Sequence, residues 1–250
     1  MWSKDIQHIH HYKHGMYSYN HIPIYCMYGV HEKVSEFIEK KFPKNARILI
    51  LGAGAGAFDE RIIDMGYTDV TAVEFRSEIY KARGKVIERD LNQDFSNLGD
   101  NVKFDCVVAI EIVEHLENHF HFIKNIEKLL NKNGMLYMTT PNVESSLSRA
   151  KFFLTGSLDF FNKKEIATTG HINPIFKDIF LFHLKNNTNL KILSIDKNRS
   201  VWELDNYPTL KLKLVIIIAR IMCIFIKYKN DAQINIFSIE KVSEKIFSVS

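Results

Sequence analysis

Short apolar runs alternate along the chain with stretches in which apolar residues recur every three or four positions. The apolar runs predict β-strands, at 47–51, 70–75, 85–88, 104–110, 135–140, 190–196 and 232–242. The wider spacing predicts helices, at 31–42, 58–65, 120–130 and 176–184. Because strands and helices alternate with short connections, the pattern predicts an α/β fold with a doubly wound, mostly parallel sheet. In such sheets, ligands bind at the carboxyl ends of the strands.

A glycine-rich turn follows the first predicted strand. Gly52, Gly54 and Gly56 alternate there, immediately before a helical pattern begins. Glycines let the chain turn sharply and let a ligand approach the bare backbone, while the helix N-terminus favours negative charge. The turn therefore predicts a nucleotide-like cofactor. Gly52, Gly54 and Ala57 also satisfy the dinucleotide fingerprint G-x-G-x-x-G/A, so the turn alone does not choose between cofactors.

Polar residues follow several of the predicted strands. Glu74 ends the second strand, Asp90 follows the third, Glu111 follows the fourth and Asn142 follows the fifth. We expect all of them at one edge of the sheet, because the carboxyl ends of parallel strands lie together. A carboxylate about twenty residues beyond the glycines suits the two hydroxyls of a ribose. The alternative for Glu74 is an exposed acidic residue at a strand end.

Length and composition favour one large domain in a reducing compartment. The chain has 250 residues, of which 46% are hydrophobic, and its three cysteines are far apart without a C-x-x-C pair. The N-terminus is polar and His-rich and lacks the apolar core of a signal peptide, so we expect a cytoplasmic protein. We predict an N-terminal arm or lid at 1–30 and one domain at 31–250, with inserts at 145–169 and 207–229.

The charge of the chain is concentrated near its C-terminal end. Seven basic and three acidic residues after position 206 account for the net charge of +4. Residues 1–206 are therefore neutral overall. This distribution argues against a broad nucleic-acid-binding surface on the main body.

Five sequence blocks, in order, resemble the class I S-adenosylmethionine-dependent methyltransferases: ILILGAGAG, VEF, RDLN, FDCVVAIEIVEHLEN and GMLYMTTPN. The resemblance implies a Rossmann-like sheet of seven strands, the last one antiparallel, with S-adenosylmethionine as cofactor. A dinucleotide dehydrogenase would explain the glycines and the acidic residue of VEF, but it would leave the fourth block without a role. We therefore rank the dehydrogenase reading behind the methyltransferase reading.

The same resemblance implies roles for individual residues. Gly52, Gly54 and Gly56 would pass under the methionine part of the cofactor. Glu74 would bind the ribose, and Asp90 with the backbone of Leu91 would bind adenine. Ile110 and Glu111 would flank the sulfonium and amino end.

The block E-x-x-E-H supplies candidate catalytic chemistry. Glu111, Glu114 and His115 are spaced i, i+3 and i+4 at the start of a predicted helix, which would place them on one face. Two carboxylates beside an imidazole repel each other unless a proton or a cation lies between them. A divalent metal would remove that repulsion and lower the pKa of an acceptor hydroxyl, and the oxygen ligands favour Mg²⁺ or Mn²⁺.

Similar blocks occur in the ubiquinone-pathway O-methyltransferases and in the small-RNA 2′-O-methyltransferases, where the resemblance implies metal-assisted methylation. In the RNA enzymes a downstream histidine completes the site, and His171 is its counterpart here. The implied metal ligands are Glu111, Glu114, His115 and His171, and the implied catalytic residues are Glu114, His115 and His171. The alternative is that the glutamates and His115 line the pocket without metal, with His115 as a general base.

The segment from Thr139 to Phe161, followed by GHINPIF, resembles a bacterial subgroup associated with surface-polysaccharide or glycolipid assembly. The prediction is O-methylation of a hydroxyl on a glycan, a glycolipid or a small polar acceptor. One alternative is 2′-O-methylation of RNA, which the neutral main body disfavours. Another is a cofactor-binding scaffold without catalysis, which the intact motif residues disfavour.

Residues 210–228 are strongly apolar but are interrupted by Arg220, and the run is too short to cross a bilayer. One reading is a membrane-surface segment whose flanking lysines meet anionic head groups, which would make the protein peripheral to the inner face of the membrane. The other reading is a helix buried against the sheet or at a dimer interface. The sequence does not define the oligomeric state.

Overall fold

The computed structural model describes residues 17–98, 102–198, 210–226 and 232–243. The strands are β1 Ser18–Tyr19, β2 Ile22–Pro23, β3 Arg47–Leu51, β4 Asp69–Glu74, β5 Lys85–Glu88, β6 Phe104–Ile110, β7 Leu130–Pro141, β8 Leu190–Lys197 and β9 Ile234–Lys241. The helices are α1 Val30–Lys41, α2 Ala57–Asp64, α3 His119–Leu129, α4 Ser146–Thr155, α5 Lys163–Thr169, α6 Lys177–Asn187 and α7 Leu210–Ile226. The first 16 residues of the predicted arm, and residues 207–209 and 227–229 of the second insert, lie outside the described residues.

The main sheet has seven strands in the order β5-β4-β3-β6-β7-β9-β8. β3 pairs in parallel with β4 and β6, and β7 is parallel to β6, whereas β9 runs antiparallel to both β7 and β8. The predicted doubly wound sheet with an antiparallel last strand is confirmed. The chain moves outward in opposite directions from β3 and β6, so the crevice for a ligand lies at their carboxyl ends.

The central strands are buried because helices cover both faces of the sheet. On one face, Ile48 and Ile50 of β3 belong to a cluster that includes Val34 of α1 and Phe58 of α2. On the other face, the core includes residues of α3 and α6. The near-continuous apolar sequence of β3 and β6 follows from this double burial.

The helix predicted at 120–130 runs from His119 to Leu129, and β7 begins directly at Leu130, five residues before the strand predicted at 135–140. Leu130 pairs with Phe104, and the ladder then shifts register before Cys106 pairs with Met135. Asn131 stabilises this irregular start, because its side chain donates a 2.7 Å hydrogen bond to Asp105 Oδ1. Such a bulge depends on a contact with another strand, so the hydrophobic pattern of the sequence does not predict it.

The first insert folds into α4 and α5, and its helix ends follow capping rules. Ser145 caps α4, Asn162 forms a capping box with Glu165 at α5, and both helices end at glycines with left-handed backbone. The helix α7 of the second insert packs its buried side on α4. Within the ranges described, every helix falls short of the length or the hydrophobicity needed to traverse a bilayer.

Candidate active site

The glycine turn leaves no room for side chains. Gly52, Gly54 and Gly56 all have positive φ, between 56° and 89°. A Cβ on Gly52 would lie 2.6 Å from Cγ1 of Ile112, and one on Gly56 would lie 2.7 Å from Cβ of Ala82. The turn therefore offers bare backbone and the N-terminus of α2 at the carboxyl edge of the sheet.

The acidic residues predicted beyond β4 and β5 lie at the same edge. Glu74 closes β4, where its Oε2 accepts a 2.8 Å hydrogen bond from the backbone N–H of Gly54. Its Oε1 accepts another, at 3.1 Å, from the N–H of Arg76. Burial raises the pKa of Glu74 despite these bonds. Asp90 accepts a 2.9 Å hydrogen bond from the N–H of Asn92 and stands before the buried Leu91.

The N-terminal segment packs over the glycine turn. A Cβ on Gly54 would lie 3.1 Å from the ring of Tyr25. Tyr19 and Asn20 in the β1–β2 hairpin donate hydrogen bonds to Asp64 of α2, at 3.0 Å and 2.8 Å. The described part of the predicted arm is thus fastened to the helix that begins at the turn.

The E-x-x-E-H block is not at the start of a regular helix, so that prediction is wrong. Glu111 has a left-handed backbone with φ 49°, and Val113–His115 form a single 3-10 turn. The α-helix starts only at His119, where the side chain of Asn118 accepts a hydrogen bond from the N–H of His121. The strong Asn cap places the helix start there, and the residues before it form a tight turn at the end of β6.

Two threonines at the end of β7 bind the two glutamates. The hydroxyl of Thr139 donates to Glu111 Oε1 at 2.8 Å, and its oxygen accepts from the N–H of Glu111 at 3.0 Å. The hydroxyl of Thr140 donates to Glu114 Oε2 at 3.2 Å. The buried Oε1 of Glu114 accepts no hydrogen bond from any described residue. The pKa of Glu114 is raised well above its usual range by burial, and the negative charge of Glu111 adds to this effect.

Three of the four predicted metal ligands converge. Among the described residues, one ligand atom each from Glu114, His115 and His171 lies within 4.8 Å of the other two. The two imidazole rings meet edge to face, with centroids 4.7 Å apart. Glu111 is not a member of this group; its carboxylate is held by Thr139.

The position of His171 is set by its neighbours in the fold. The ring Nδ1 lies 2.9 Å from the carbonyl oxygen of Phe160. Because a carbonyl only accepts, Nδ1 carries the proton and Nε2 is the basic nitrogen of the neutral ring. The carbonyl of Glu114 accepts from the N–H groups of Ile172 and Asn173, both at 3.0 Å, which joins this loop to the E-x-x-E-H turn.

Sequence reasoning missed the residues that support this site, namely Thr139, Thr140, Phe160 and Tyr25. The strand predicted at 135–140 contains both threonines, and they do lie in β7, but the sequence does not show which carboxylates their hydroxyls meet. The β6–β7 register, in which Ile110 pairs with Thr139, is what brings them to the glutamates. Phe160 has a left-handed backbone, with φ 65°, which a sequence does not announce for a phenylalanine.

The comparisons with known proteins agree with this geometry. A family model described as a methyltransferase domain matches residues 25–194. A ubiquinone biosynthesis O-methyltransferase of Pelagibacter ubique is 28% identical over 158 residues, covering 61% of this chain and 65% of the relative. One of Rickettsia conorii is 31% identical over 117 residues, covering 44% of this chain and 38% of the relative. The chain thus spans less than two thirds of the length of these curated relatives.

Solved structures share the fold at low sequence identity. An S-adenosylmethionine-dependent methyltransferase from Archaeoglobus fulgidus has a TM-score of 0.55 at 16% identity, covering 84% of this chain and 94% of that one. Magnesium protoporphyrin IX methyltransferase from Synechocystis, with bound S-adenosylhomocysteine, has a TM-score of 0.54 at 12% identity, covering 84% and 81%. Sheet order, glycine turn and family match together show that this chain belongs to the class I S-adenosylmethionine-dependent methyltransferases.

Proposed function

We propose that this protein is an O-methyltransferase that moves the methyl group of S-adenosylmethionine to a hydroxyl of its acceptor. The observation that carries the proposal is the convergence of Glu114, His115 and His171 at the sheet edge that also holds the glycine turn. The curated relatives named above are O-methyltransferases, which supports oxygen as the attacked atom.

The cofactor would lie along the edge in the direction implied by the motifs. Gly52, Gly54 and Gly56 would contact its methionine part, Glu74 its ribose, and Asp90 and Leu91 its adenine. Ile110 and Glu111 would then flank the sulfonium. This placement presents the methyl group to the turn that carries Glu114 and His115, because that turn continues directly from β6.

Methyl transfer is an in-line displacement, in which the acceptor oxygen bonds to the methyl carbon while the carbon–sulfur bond breaks. The sulfonium becomes the neutral thioether of S-adenosylhomocysteine, and the hydroxyl proton must go to a base. The Nε2 atom of His171 suits this role, because the Phe160 carbonyl keeps the other nitrogen protonated. His115, which lies against the His171 ring, is the second imidazole in reach of the proton.

The site also fits a divalent metal, as an alternative to the His171 base, because the Nε2 atom of His171 cannot bind an ion and accept the hydroxyl proton at the same time. With an ion bound, the acceptor hydroxyl would lose its proton to water. Glu114, His115 and His171 would hold the ion, and the buried Glu114 Oε1 without a partner supplies a ligand position. With Glu111 outside the group, the donors are one carboxylate and two imidazoles, which suit Mn²⁺ better than the predicted alternative Mg²⁺. Such an ion would lower the pKa of the acceptor hydroxyl and offset the charge of the two glutamates. Glu111, the fourth predicted ligand, would contribute through its charge while Thr139 holds its carboxylate.

The acceptor itself remains a sequence-based prediction. A glycan, a glycolipid or a small polar acceptor was predicted from the segment after β7, and the relatives named above give no support to a glycan. The RNA alternative has no support from the relatives named here, and residues 1–206 carry no net positive charge for it.

Calorimetric titration with S-adenosylhomocysteine, with and without Mg²⁺ or Mn²⁺, tests the proposal. We expect cofactor binding in the wild type and in Glu114→Gln, and a metal-ion heat in the wild type only. The matched control is Glu117→Gln, which removes an exposed carboxylate of the same turn region and should keep the metal-ion heat. Absence of S-adenosylhomocysteine binding in the wild type would refute the proposed function. Cofactor binding with no heat from either Mg²⁺ or Mn²⁺, each titrated separately, would refute the metal alone.

A further inference from the structure

An exposed apolar stripe runs along α7. Its members are between 47% and 85% exposed and are spaced four and three positions apart in turn: Leu210, Leu214, Ile217, Ile221 and Ile224. This spacing puts them on one face of the helix. Packing among the described residues does not account for an apolar face of this length, because burial on α4 uses other residues of α7.

One side of α7 is buried against α4, which fixes the position of the helix. Val215, Ile216 and Ala219 pack against Leu147 and Ala150 of α4. The apolar stripe therefore lies on the side of α7 that faces away from α4, and packing on α4 holds the helix in place. A buried helix was one of the two sequence readings, and it accounts for only this inner side.

The composition of the stripe is that of a membrane-surface helix. Exposed Leu and Ile residues next to basic ones are typical of segments that insert into the head-group region of a bilayer.

The sequence around α7 is basic and free of acidic residues. No Asp or Glu occurs from 207 to 230, and the five basic residues there are Lys211, Lys213, Arg220, Lys227 and Lys229. Lys213 is exposed in the structure. The lysines flank the apolar stripe in sequence at both ends, an arrangement complementary to a negatively charged surface.

These charges distinguish a lipid surface from a second copy of the chain. Two α7 helices packed through their stripes would bring lysine-bearing ends together in either orientation, without an acidic partner from the helix. We propose that α7 is a docking face for an anionic lipid bilayer. The helix lies in the plane of the head groups, and the apolar stripe enters the acyl region.

The docking face is linked to the candidate site by a short stretch of chain. The helix α4, on which α7 packs, ends at Gly156, and Phe160 then places its carbonyl against the ring of His171. If the proposed function holds, an acceptor hydroxyl at a membrane surface would enter the candidate site beside His171. Lipid binding itself does not depend on methyl transfer and is measured without turnover.

Co-sedimentation of the full chain with vesicles tests the docking face. The vesicles are phosphatidylcholine alone, or phosphatidylcholine with about one third phosphatidylglycerol, at low and at high salt. We expect binding to the anionic vesicles, and at least about tenfold less to neutral vesicles or at high salt.

Two variants probe the two parts of the face. Leu214→Gln/Ile217→Gln/Ile221→Gln removes the centre of the apolar stripe, and Lys211→Gln/Lys213→Gln removes two flanking charges. Each should lower anionic-vesicle binding about tenfold or more. The control Ile179→Gln/Phe182→Gln changes two equally exposed apolar residues of α6 and should bind as the wild type does.

Other results would overturn the proposal. Equal binding by all variants, binding without lipid preference, or no vesicle binding by the wild type would each do so. A stable dimer in sedimentation velocity that the stripe variant abolishes would assign the face to a second copy instead. S-adenosylhomocysteine binding, measured on the same samples, checks folding and separates failure here from failure of the proposed function.

Discussion

At the residue scale, Asp59 is a carboxyl buried in the first turn of α2, immediately after the glycine turn. Tyr80 donates a 3.1 Å hydrogen bond to its Oδ1, while Oδ2 has no partner among the residues described. Burial raises its pKa to about 7, with smaller contributions from the charges of Glu74 and Glu60. The folded state therefore binds this proton more tightly than the unfolded chain does, and the associated stability is lost as pH rises from about 4 through 7.

We expect Asp59→Asn to stabilise the protein above neutral pH. The amide keeps the shape and can accept from Tyr80, but it carries no buried charge. The gain in free energy of unfolding should be about 2–4 kcal/mol at pH 8 and should shrink by more than half at pH 5. Urea unfolding at both pH values measures it. A gain that does not change with pH would mean that Asp59 is not the titrating group.

The His171→Asn variant tests the proposed base. Removing the imidazole should lower kcat about 10²- to 10⁴-fold and leave S-adenosylhomocysteine affinity unchanged, because His171 is in the acceptor-side loop and not in the glycine turn. His21→Asn, which changes an exposed histidine, is the control. The measurement needs any hydroxyl acceptor that the wild type methylates. Unchanged turnover in His171→Asn would rule out the base role.

The residues of the candidate site differ in whether the sequence alone could predict them. Glu114 and His115 were predicted because the chemistry lies in one contiguous block. His171 was found through the resemblance, and the structure confirms that it joins them. Thr139 and Thr140 were not predicted, because only the β6–β7 register determines which strand-end hydroxyl meets which carboxylate.

At the element scale, the glycine turn gives the sharpest steric test. Gly52→Ala places a methyl group 2.6 Å from Ile112 at φ +70°, and Gly29→Ala places one in open space at φ +82°. Both substitutions pay for left-handed backbone, about 1 kcal/mol, but only the first also forces a neighbour to move. We expect Gly52→Ala to lose about 2–4 kcal/mol of stability and more than tenfold in S-adenosylhomocysteine affinity.

Thermal unfolding and calorimetry of the two alanine variants make that comparison. Gly29→Ala should retain wild-type cofactor affinity. Equal effects of the two substitutions on binding would mean that backbone strain, and not the close approach at the turn, governs the cofactor site.

The hydrophobic period of the sequence predicts the positions of the strands and helices, but it does not predict the short E-x-x-E-H turn. The bounds of β5 and β6 match the prediction: β5 has two β-branched residues between Lys85 and Glu88, and β6 is apolar except for Asp105. The i, i+3, i+4 spacing of Glu111, Glu114 and His115 predicts an α-helix, whereas Val113–His115 form a 3-10 turn. Spacing does not reveal that Asn118, a few residues later, is the residue that starts the helix.

At the scale of the whole molecule, cofactor binding should stabilise the fold. The glycine turn, Glu74 and Asp90 come from three different strand ends, so a ligand that spans them joins distant parts of the chain. At 100 times its Kd, S-adenosylhomocysteine should add about 2.7 kcal/mol to the free energy of unfolding. A thermal shift assay measures this, and the same concentration of NAD⁺ should give no shift. A shift with NAD⁺ alone would contradict the cofactor assignment.

The α4–α5 insert supplies the carbonyl that orients His171, and two contacts within the insert stabilise the turn before that carbonyl. Lys151 of α4 pairs with Asp159, and the hydroxyl of Ser148 accepts from the N–H of Asp159. Phe160 follows directly, so the insert orients His171, whereas Glu114 and His115 come from the turn after β6 and the cofactor side is built by strand ends earlier in the chain. Under the proposed function, a change confined to this insert alters the acceptor side of the site through His171 and leaves untouched the strand ends that contact the cofactor.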